Sequence, residues 1–268
     1  MGRLRRHMIQ LLAALAITSI QYRFPVGQMI SYSMAVKFDG FLPVLGGKDG
    51  TAAAGLDVSV TGVEPDKDGN PRVRSQIDGL KMSINGAVLP LNAKNIQTFF
   101  PPTTISISPE GRVLKTDAPE ARLGVQLPGL DARRFPDISY LPIEFPADDL
   151  VVGQAFQFKK RFGETDMTYT VTPLRLDARE AEFAVVSSQD YEGFEDDRHN
   201  PIAASAGAAY RLSTHLAGKG VVKFDLTRHL VSSLHIEAEA KTHVTATNGG
   251  PIPDRDLKTV LDVKLAPA

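Results

Sequence analysis

The feature that most constrains this chain is an alternation of apolar and polar residues with a period of two. Near the start, Ile30, Tyr32 and Met34 are separated by Ser31 and Ser33. Successive side chains of a β-strand point to opposite faces, so this alternation predicts strands with one buried face and one wet face, as in antiparallel sheets. The pattern recurs in the sets Val36/Phe38, Leu56/Val58/Val60, Val73/Ile77, Leu80/Met82/Ile84, Phe156/Phe158/Lys160/Phe162, Met167/Tyr169/Val171 and Leu257/Leu261/Val263/Leu265.

Helical periodicity is scarce by comparison. Residues 92–99 and 131–138 favour short helices that begin or end near proline. Turn residues separate the strands, for example Asp-Gly-Asn-Pro at 68–71 and Asn-Gly-Gly-Pro at 248–251. The sequence therefore predicts a mainly β protein of curved antiparallel sheets, as a half-barrel or a two-repeat β-meander, with few short helices.

A faint internal repeat accompanies the strands. Phe-Pro-Val-Gly-Gln at 24–28 precedes the first alternating strand, and Val-Gly-Gln at 152–154, after Phe145-Pro146, precedes a strand in the second half. Val-Ser-Val-Thr-Gly-Val at 58–63 resembles Tyr-Thr-Val-Thr-Pro-Leu at 169–174. We divide the chain into a first β-rich half at 22–128, a joining segment at 129–146 and a second β-rich half at 147–268. One continuous domain is the alternative.

The N-terminus has the pattern of a secretory signal. Three arginines within residues 1–7 precede an apolar stretch at 8–20 that contains Ala14 and Ala16. This stretch is shorter than the ~20 residues of a membrane-spanning helix. We predict a signal peptide at 1–21, export to the periplasm, cell envelope or extracellular space, and no stable membrane span in the mature chain. The alternative is an amphipathic helix that is retained and packs on the protein.

Composition and motifs exclude several functional classes. The formal net charge is −1 and aromatic residues make up 7%, so the chain lacks the basic field that nucleic acid binding requires, and we expect no nucleic acid partner. Cysteine is absent, which excludes disulfides and thiolate chemistry. No Gly-x-Ser-x-Gly, phosphate-loop or His-Glu-x-x-His motif occurs. We predict no cofactor, no metal site and no catalytic residues, which favours a non-enzymatic protein but leaves enzymatic activity open.

The most chemically suggestive run is LVSSLHIEAEAKTHVTAT at 230–247, which holds His235, Glu237, Glu239 and His243. These four residues are odd-numbered whereas most apolar ones are even-numbered, so a strand places them together on its polar face. Same-face neighbours lie about 7 Å apart, so His235 and His243 cannot share one ion. We interpret the run as the wet face of a strand, with a metal or acid–base site as the alternative. The acidic run at 192–199 is interpreted as solvated charge, with a weak cation site as the alternative.

Two stretches break the alternating pattern. Residues 40–55 are glycine-rich yet contain Phe41 and Leu42, and residues 200–209 are small and apolar. Ordinary loops are polar, so each stretch is interpreted either as a flap over a cavity or as a segment that covers the sheet.

Taken together, the Val-Gly-Gln motif before a strand in each half and Phe224-Asp225 near a turn give the chain a resemblance to exported bacterial β-proteins. Their architecture is similar to that of the lipoprotein-carrier and lipid-binding half-barrels of the bacterial envelope. The resemblance covers the pattern of residues 24–265 and implies a curved sheet whose apolar concave face holds acyl chains. It implies no catalytic residues. Those carriers are usually a single repeat, whereas this sequence is doubled.

The sequence therefore predicts an exported, non-enzymatic binding or carrier protein for an apolar, lipid-like ligand. The alternatives are an envelope scaffold or protein-interaction module with a filled core and an envelope protein as its partner, and then a hydrolase with a loop-built site. A cavity on the order of a few hundred Å³ would favour the first. The predicted ligand-binding residues, from the apolar strand face and the flap, are Met34, Val36, Phe41, Leu42, Phe156 and Phe158.

Overall fold

A computed structural model describes residues 19–42, 48–88, 96–97, 100–117, 140–162, 165–199, 202–203, 207–250 and 252–265. The predicted β class is confirmed, because the chain forms one twelve-stranded antiparallel sheet. The strands are β1 Met29–Leu42, β2 Lys48–Val63, β3 Arg72–Ile84, β4 Ala87–Val88, β5 Thr103–Ile107, β6 Val113–Asp117, β7 Phe156–Phe162, β8 Thr165–Leu176, β9 Glu180–Glu195, β10 Tyr210–Asp225, β11 Leu230–Ala246 and β12 Arg255–Leu265. Their order is β6-β5-β3-β2-β1-β12-β11-β10-β9-β8-β7, with β4 paired to β3.

The period-two pattern correctly assigns the two faces of the sheet. In β1 the even-numbered residues from Ile30 to Phe38 are buried, and most of the intervening odd-numbered ones are exposed. In β11 the even-numbered Leu234 and Ala240 are buried, whereas His235 is exposed. We call the face that carries the buried residues the inner face and the opposite one the outer face.

The sheet consists of two meanders of five main strands, joined by β12. β1, β2, β3, β5 and β6 follow one another in space, as do β7 through β11, and β12 pairs with both β1 and β11. Strands of both sequence halves therefore belong to one sheet. Each meander is entered through the same turn: Gly27 and Gly153 have positive φ angles of 79° and 82°. The Gly27 N–H donates to the Gly62 carbonyl (2.9 Å), and the Gly153 N–H donates to the Pro173 carbonyl (2.8 Å).

The first hairpins of the two meanders also share one register. The sequence repeat aligns Gly27 with Gly153 and Gly62 with Pro173. With that alignment, three inner-face pairs of β1 and β2 correspond to three inner-face pairs of β7 and β8. The matching pairs are Ile30–Val60 with Phe156–Val171, Tyr32–Val58 with Phe158–Tyr169, and Met34–Leu56 with Lys160–Met167.

Two backbone hydrogen bonds show how strongly the sheet curls. The Tyr22 N–H donates to the Pro109 carbonyl beside β5 (2.7 Å), and the Arg23 N–H donates to the His229 carbonyl beside β11 (3.2 Å). β5 and β11 are five strand steps apart, or about 24 Å along the sheet. Because Tyr22 and Arg23 are consecutive, the two carbonyls lie within roughly 10 Å of each other. The sheet therefore curls around its inner face as an open half-barrel.

The structure overturns one local prediction, and several others concern residues that lie wholly or partly outside the described part of the chain. The interpretation of residues 40–55 as a flap or covering loop is wrong for most of its length, because residues 40–42 end β1 and residues 48–55 begin β2. Within the predicted helix at 92–99, Ile96 and Gln97 are helical and the other residues lie outside the described part, as does the predicted helix at 131–138. Of the stretch at 200–209, only 202–203 and 207–209 are described.

Candidate functional site

One end of the inner face, near the end of β10 at Asp225, is filled by aromatic side chains, and we call it the lower end. We call Tyr22, Phe24, Phe145, Phe183 and Phe224 the aromatic plug; all five are buried. Phe224 meets Tyr22 and Phe145 edge-on, with ring centroids 5.2 and 5.3 Å apart. The chain itself therefore fills the inner face around these five rings.

Three of the five plug residues belong to two chain segments that cross the inner face, and Phe183 and Phe224 belong to β9 and β10. Residues 19–25 contribute Tyr22 and Phe24, and residues 140–146 contribute Phe145. The Tyr22 hydroxyl donates to the Ile143 carbonyl (3.0 Å), which ties the two segments together, and burial raises the pKa of this hydroxyl. The described part of the predicted joining segment is thus part of the core.

The upper end of the inner face is closed by a charged cluster, which we call the clasp: Arg255, Glu195, His199, Phe41 and Tyr210. The Arg255 Nη1 donates to the Glu195 Oε2 (2.7 Å), and both side chains are more than 90% buried. The guanidinium lies 4.1 Å from the centroid of the Phe41 ring. His199 stacks on Tyr210, with ring centroids 5.2 Å apart. Because β12 and β9 are three steps apart in the sheet, the clasp holds the upper end curled.

His199 completes the clasp without forming a recognisable catalytic group. Its Nδ1 lies 3.2 Å from the Glu195 Oε2 and 3.3 Å from the Arg255 Nη2. One ring nitrogen either donates to the carboxylate or accepts from the guanidinium, so the tautomer decides which bond forms. Within the described ranges no hydroxyl group hydrogen-bonds to His199, so the arrangement is an ion-pair network rather than a nucleophile with its base.

Between the plug and the clasp, part of the inner face is open. Ile236 and Ala238 of β11 and Leu261 and Thr259 of β12 point inward, yet they are only partly buried. We call these four residues the open surface. They lie in the middle of the sheet, where a filled core would bury them completely, and three of them are apolar. This surface can therefore accept apolar atoms that the described chain does not supply.

Strand register places the open surface within two rows of inward side chains that run across the sheet, which we call the middle rows. The row through Ala238 includes small side chains on the neighbouring strands, because Ala238 pairs with Gly218 and Gly218 with Ser187. The two rows, each written from β7 to β2, are Phe158–Tyr169–Ser187–Gly218–Ala238–Thr259–Phe38–Ala52 and Phe156–Val171–Val185–Gly220–Ile236–Leu261–Val36–Ala54.

A pocket of about 400 Å³ lies in the first meander, and its lining combines inner-face residues such as Met34 and Leu56 with outer-face residues such as Ser33 and Asp57. It is formed by three adjacent strands, β1 to β3, and by the described helical residue Ile96. Its volume falls within the range of roughly 300–1,000 Å³ that is typical of small-molecule sites. The residues that line it are Ser33, Met34, Ala35, Gly55, Leu56, Asp57, Gly79, Leu80, Lys81 and Ile96.

A buried lysine faces inward at the edge of the sheet. Lys160 of β7 is 9% exposed, and its Nζ donates to the Leu141 carbonyl (2.5 Å). The Nζ also lies 5.6 Å from the centroid of the Phe158 ring, which stacks on Tyr169 at 4.9 Å. Burial lowers the pKa of Lys160 from 10.5 to about 8, and the negative charge of Glu144 opposes this shift.

The predicted ligand-binding residues are distributed over these regions. Met34 lines the pocket, and Val36 lies in a middle row; both are 1% exposed. Phe156 and Phe158 lie at the β7 end of the middle rows and are partly buried. Phe41 and Leu42, expected on a flap, lie in β1, where Phe41 contacts Arg255. Their role in ligand binding stays a prediction.

The suggestive run at 230–247 forms β11 and its following turn, and its polar side chains lie on the outer face. His235 is exposed and lies 2.8 Å from the Asp262 carboxylate. This hydrogen bond is the main cause of the raised pKa of His235. In the part of the chain that the structure describes, no three histidine, aspartate or glutamate side chains form a group that could hold a metal ion. The wet-face interpretation of the strand is confirmed.

Sequence reasoning missed the clasp and did not single out Lys160. The acidic run at 192–199 was interpreted as solvated, but Glu195 ends β9 on the inner face and is 7% exposed. Parity along the strands is the signal that could have found these residues. Lys160 alternates in step with Phe156 and Phe158, and Arg255 in step with Leu257, so both cations point inward.

Comparisons with known proteins define the fold without assigning a family. No protein-family model matches the chain, and no curated protein matches it. Among solved structures, one of lipid–protein interactions in lipovitellin is similar, with a TM-score of 0.52 and 14% sequence identity. The match covers 91% of this chain and 26% of the lipovitellin chain. DynF from the dynemicin biosynthesis pathway of Micromonospora chersina has a TM-score of 0.22 and 8% identity, with 94% of this chain and 86% of DynF covered.

The likeness to lipovitellin concerns the fold, and this chain spans about a quarter of the lipovitellin chain, 26% of its length. Within the described ranges, no helix has the length and apolar character needed to cross a bilayer. The chain therefore has a curled antiparallel sheet that is similar to part of lipovitellin, with a partly open apolar inner face.

Proposed function

We propose that the chain binds an apolar, lipid-like ligand on its inner face and acts as an exported binding or carrier protein. The observation that carries the proposal is the open surface. Ile236, Leu261 and Ala238 lie in the middle of a curled sheet, between two closed ends, and remain partly exposed. Covering them with an apolar ligand removes apolar surface from water, at about 25 cal/mol per Å².

Two further findings support this proposal. The pocket of about 400 Å³ beside Met34 and Leu80 has the size of a ligand site. The similar solved structure of lipovitellin concerns lipid–protein interactions, so a sheet of this fold occurs in a protein that contacts lipid.

A second candidate is an envelope scaffold or protein-interaction module. The observation in its favour is the aromatic plug, because it shows that one end of the inner face is filled by the chain itself. If the open surface were also covered in the mature protein, no ligand would be needed. The two candidates differ in one measurable property, which is binding of an apolar molecule by the purified protein.

Export remains part of the proposal, with a constraint on where a signal peptide could end. The predicted signal spans residues 1–21, yet Ile20 is 2% exposed in the core and Tyr22 belongs to the plug. Cleavage after residue 21 would remove Ile20 from the core. We therefore expect cleavage before Ile20, and N-terminal sequencing of exported protein tests this.

The binding proposal is tested with a matched pair of variants. Ala238→Phe places a ring on the open surface, whereas Ala217→Phe places the same ring on the outer face, where Ala217 is exposed. We expect displacement of a fluorescent fatty alcohol to weaken at least tenfold in Ala238→Phe and to stay within twofold of wild type in Ala217→Phe. Equal binding by all three proteins would exclude the open surface as the site, and no binding by wild type would favour the scaffold.

A further inference from the structure

Lys160 is a buried cation whose charge the described chain does not neutralise. It is 9% exposed and faces inward from the edge strand β7. Among the described residues, no carboxylate oxygen pairs with its Nζ within 4 Å, and the recorded hydrogen bond goes to the neutral Leu141 carbonyl. An ammonium has three N–H donors, so within the described ranges this bond leaves two donors without an acceptor, and the charge is faced only by the Phe158 ring at 5.6 Å.

The nearest acidic group does not compensate for this charge. Glu144 favours the charged form of Lys160, but its effect is smaller than that of burial. The Glu144 carboxylate lies 3.4 Å from the Arg112 guanidinium and therefore already has a counter-ion. Burying an ammonium without a counter-ion lowers the stability of the fold, so packing alone does not explain a lysine at this position.

The internal repeat shows that the fold does not require a lysine at this position. Lys160 pairs with Met167 in the second meander, and the equivalent pair in the first meander is Met34 with Leu56. Met34 is 1% exposed, so an apolar side chain of similar length fills that position completely. Only the second meander has a lysine at this position, although an apolar residue would pack there as Met34 does in the first meander.

We propose that Lys160 binds the carboxylate of a long-chain fatty acid whose tail lies along the middle rows toward the open surface. The inference rests on the proposed function and names the chemical class of its ligand. Along β7, Lys160 is one inward step, about 7 Å, from Phe158. Phe158 begins the row of inward side chains that continues through Tyr169, Ser187 and Gly218 to Ala238. Phe158 and Ala238 are partly exposed and the three residues between them are buried, so the tail would displace the chain atoms that cover these three. A molecule with an anionic head and an apolar tail matches this order of a cation followed by apolar and small side chains.

A carboxylate fits this site better than a phosphate. A single ammonium neutralises a single negative charge, whereas a phosphate monoester carries nearly two charges at neutral pH. The two N–H donors of Lys160 that have no acceptor among the described residues match the two oxygens of a carboxylate. The carboxylate would add the counter-ion that Glu144 does not provide.

The test compares oleate with oleyl alcohol, which has the same tail and no charge. The proteins are wild type, Lys160→Met, which copies the residue found in the first meander, and Lys159→Met, which removes an exposed lysine from the same strand. At pH 7 we expect wild type and Lys159→Met to bind oleate at least tenfold more tightly than oleyl alcohol. Lys160→Met should lose this preference while its affinity for the alcohol stays within about twofold.

The outcomes separate the inference from the function on which it rests. If wild type binds both molecules equally, or if Lys160→Met keeps the preference, Lys160 is not the anchor, although the apolar site stands. If wild type binds neither molecule, the proposed function itself fails and the inference falls with it. Should Lys160→Met not fold, wild type labelled with ¹³C at the lysine Cε decides the question. Oleate should raise the pKa of Lys160 above its value of about 8, and oleyl alcohol should not; a pKa that oleate leaves unchanged would overturn the assignment.

Discussion

The Arg255–Glu195 pair of the clasp is the polar contact on which we expect stability to depend most. Both side chains are more than 90% buried, and the pair joins β12 to β9 across the inner face. Arg255→Met keeps most of the side-chain volume but removes the guanidinium from the buried Glu195 carboxylate, which keeps only its contact with His199. Removing one partner of a buried pair typically costs about 3–5 kcal/mol, and we expect a loss of this size in the free energy of unfolding.

A second ion pair in the same region provides the control. The Arg211 Nη2 lies 2.7 Å from the Glu192 Oε1, the same distance as in the clasp, but its two side chains are 56% and 55% exposed. Pairs that are exposed to water contribute about 0–1 kcal/mol, so Arg211→Met should cost no more than about 1 kcal/mol. The ion-pair distance is therefore held constant between the two substitutions, and the buried surroundings of Arg255, with Phe41 and His199, are what differs.

Urea denaturation of the two variants, of Glu195→Gln and of the double variant Arg255→Met/Glu195→Gln measures these costs. The double variant leaves no unpaired charge and should cost clearly less than the sum of the two single changes. Equal costs for Arg255→Met and Arg211→Met, or strict additivity in the double variant, would refute the reasoning.

Three further predictions follow from single residues. The free energy of unfolding of wild type relative to Lys160→Met should rise by up to about 3 kcal/mol between pH 8 and pH 10.5, because Lys160 keeps its proton in the unfolded chain and releases it in the folded one. If urea denaturation shows the same difference between the two proteins at both pH values, the buried position of Lys160 is contradicted. Gly62→Ala should cost about 1–3 kcal/mol, because its Cβ would clash with carbonyl oxygens of the crossing N-terminal segment, whereas Gly55→Ala on the same strand meets nothing within 4 Å and should change thermal stability little. By NMR titration, the pKa of His235 should exceed the usual 6.5 and should fall in Asp262→Asn. The His235–Asp262 pair stabilises the fold below about pH 6.5, and this contribution is lost as the pH rises through the pKa of the folded state. His235→Ala should cost no more than roughly 0.5 kcal/mol in the free energy of unfolding.

Strand identity and strand faces were predictable because both depend on local alternation. The parity of residues 230–247 correctly placed His235 outside and Leu234 inside. The repeat correctly paired the turn glycines Gly27 and Gly153. These features need only neighbours in sequence, so one chain without relatives was enough to find them.

Features that depend on long-range pairing were not predictable in the same way. The alanines at 52–54 have a weak preference for strands, and the segment looked like a loop, yet pairing with β1 and β3 on both sides makes it strand. The partner of Arg255 is Glu195, 60 residues away in sequence and three strands away in the sheet, so only the curl of the sheet brings them together. Likewise the pocket beside Met34 follows from the placement of Ile96 and three strands, which no local pattern encodes.

Native mass spectrometry of the full chain purified from its own host, followed by organic extraction, tests most directly whether the inner face holds an apolar ligand. We predict a mass above that of the polypeptide, loss of the excess on extraction, and recovery of a long-chain fatty acid in the organic phase. The excess should be absent from Ala238→Phe and present in Ala217→Phe. A bare polypeptide mass for wild type that stays bare after addition of oleate and oleyl alcohol would contradict the account.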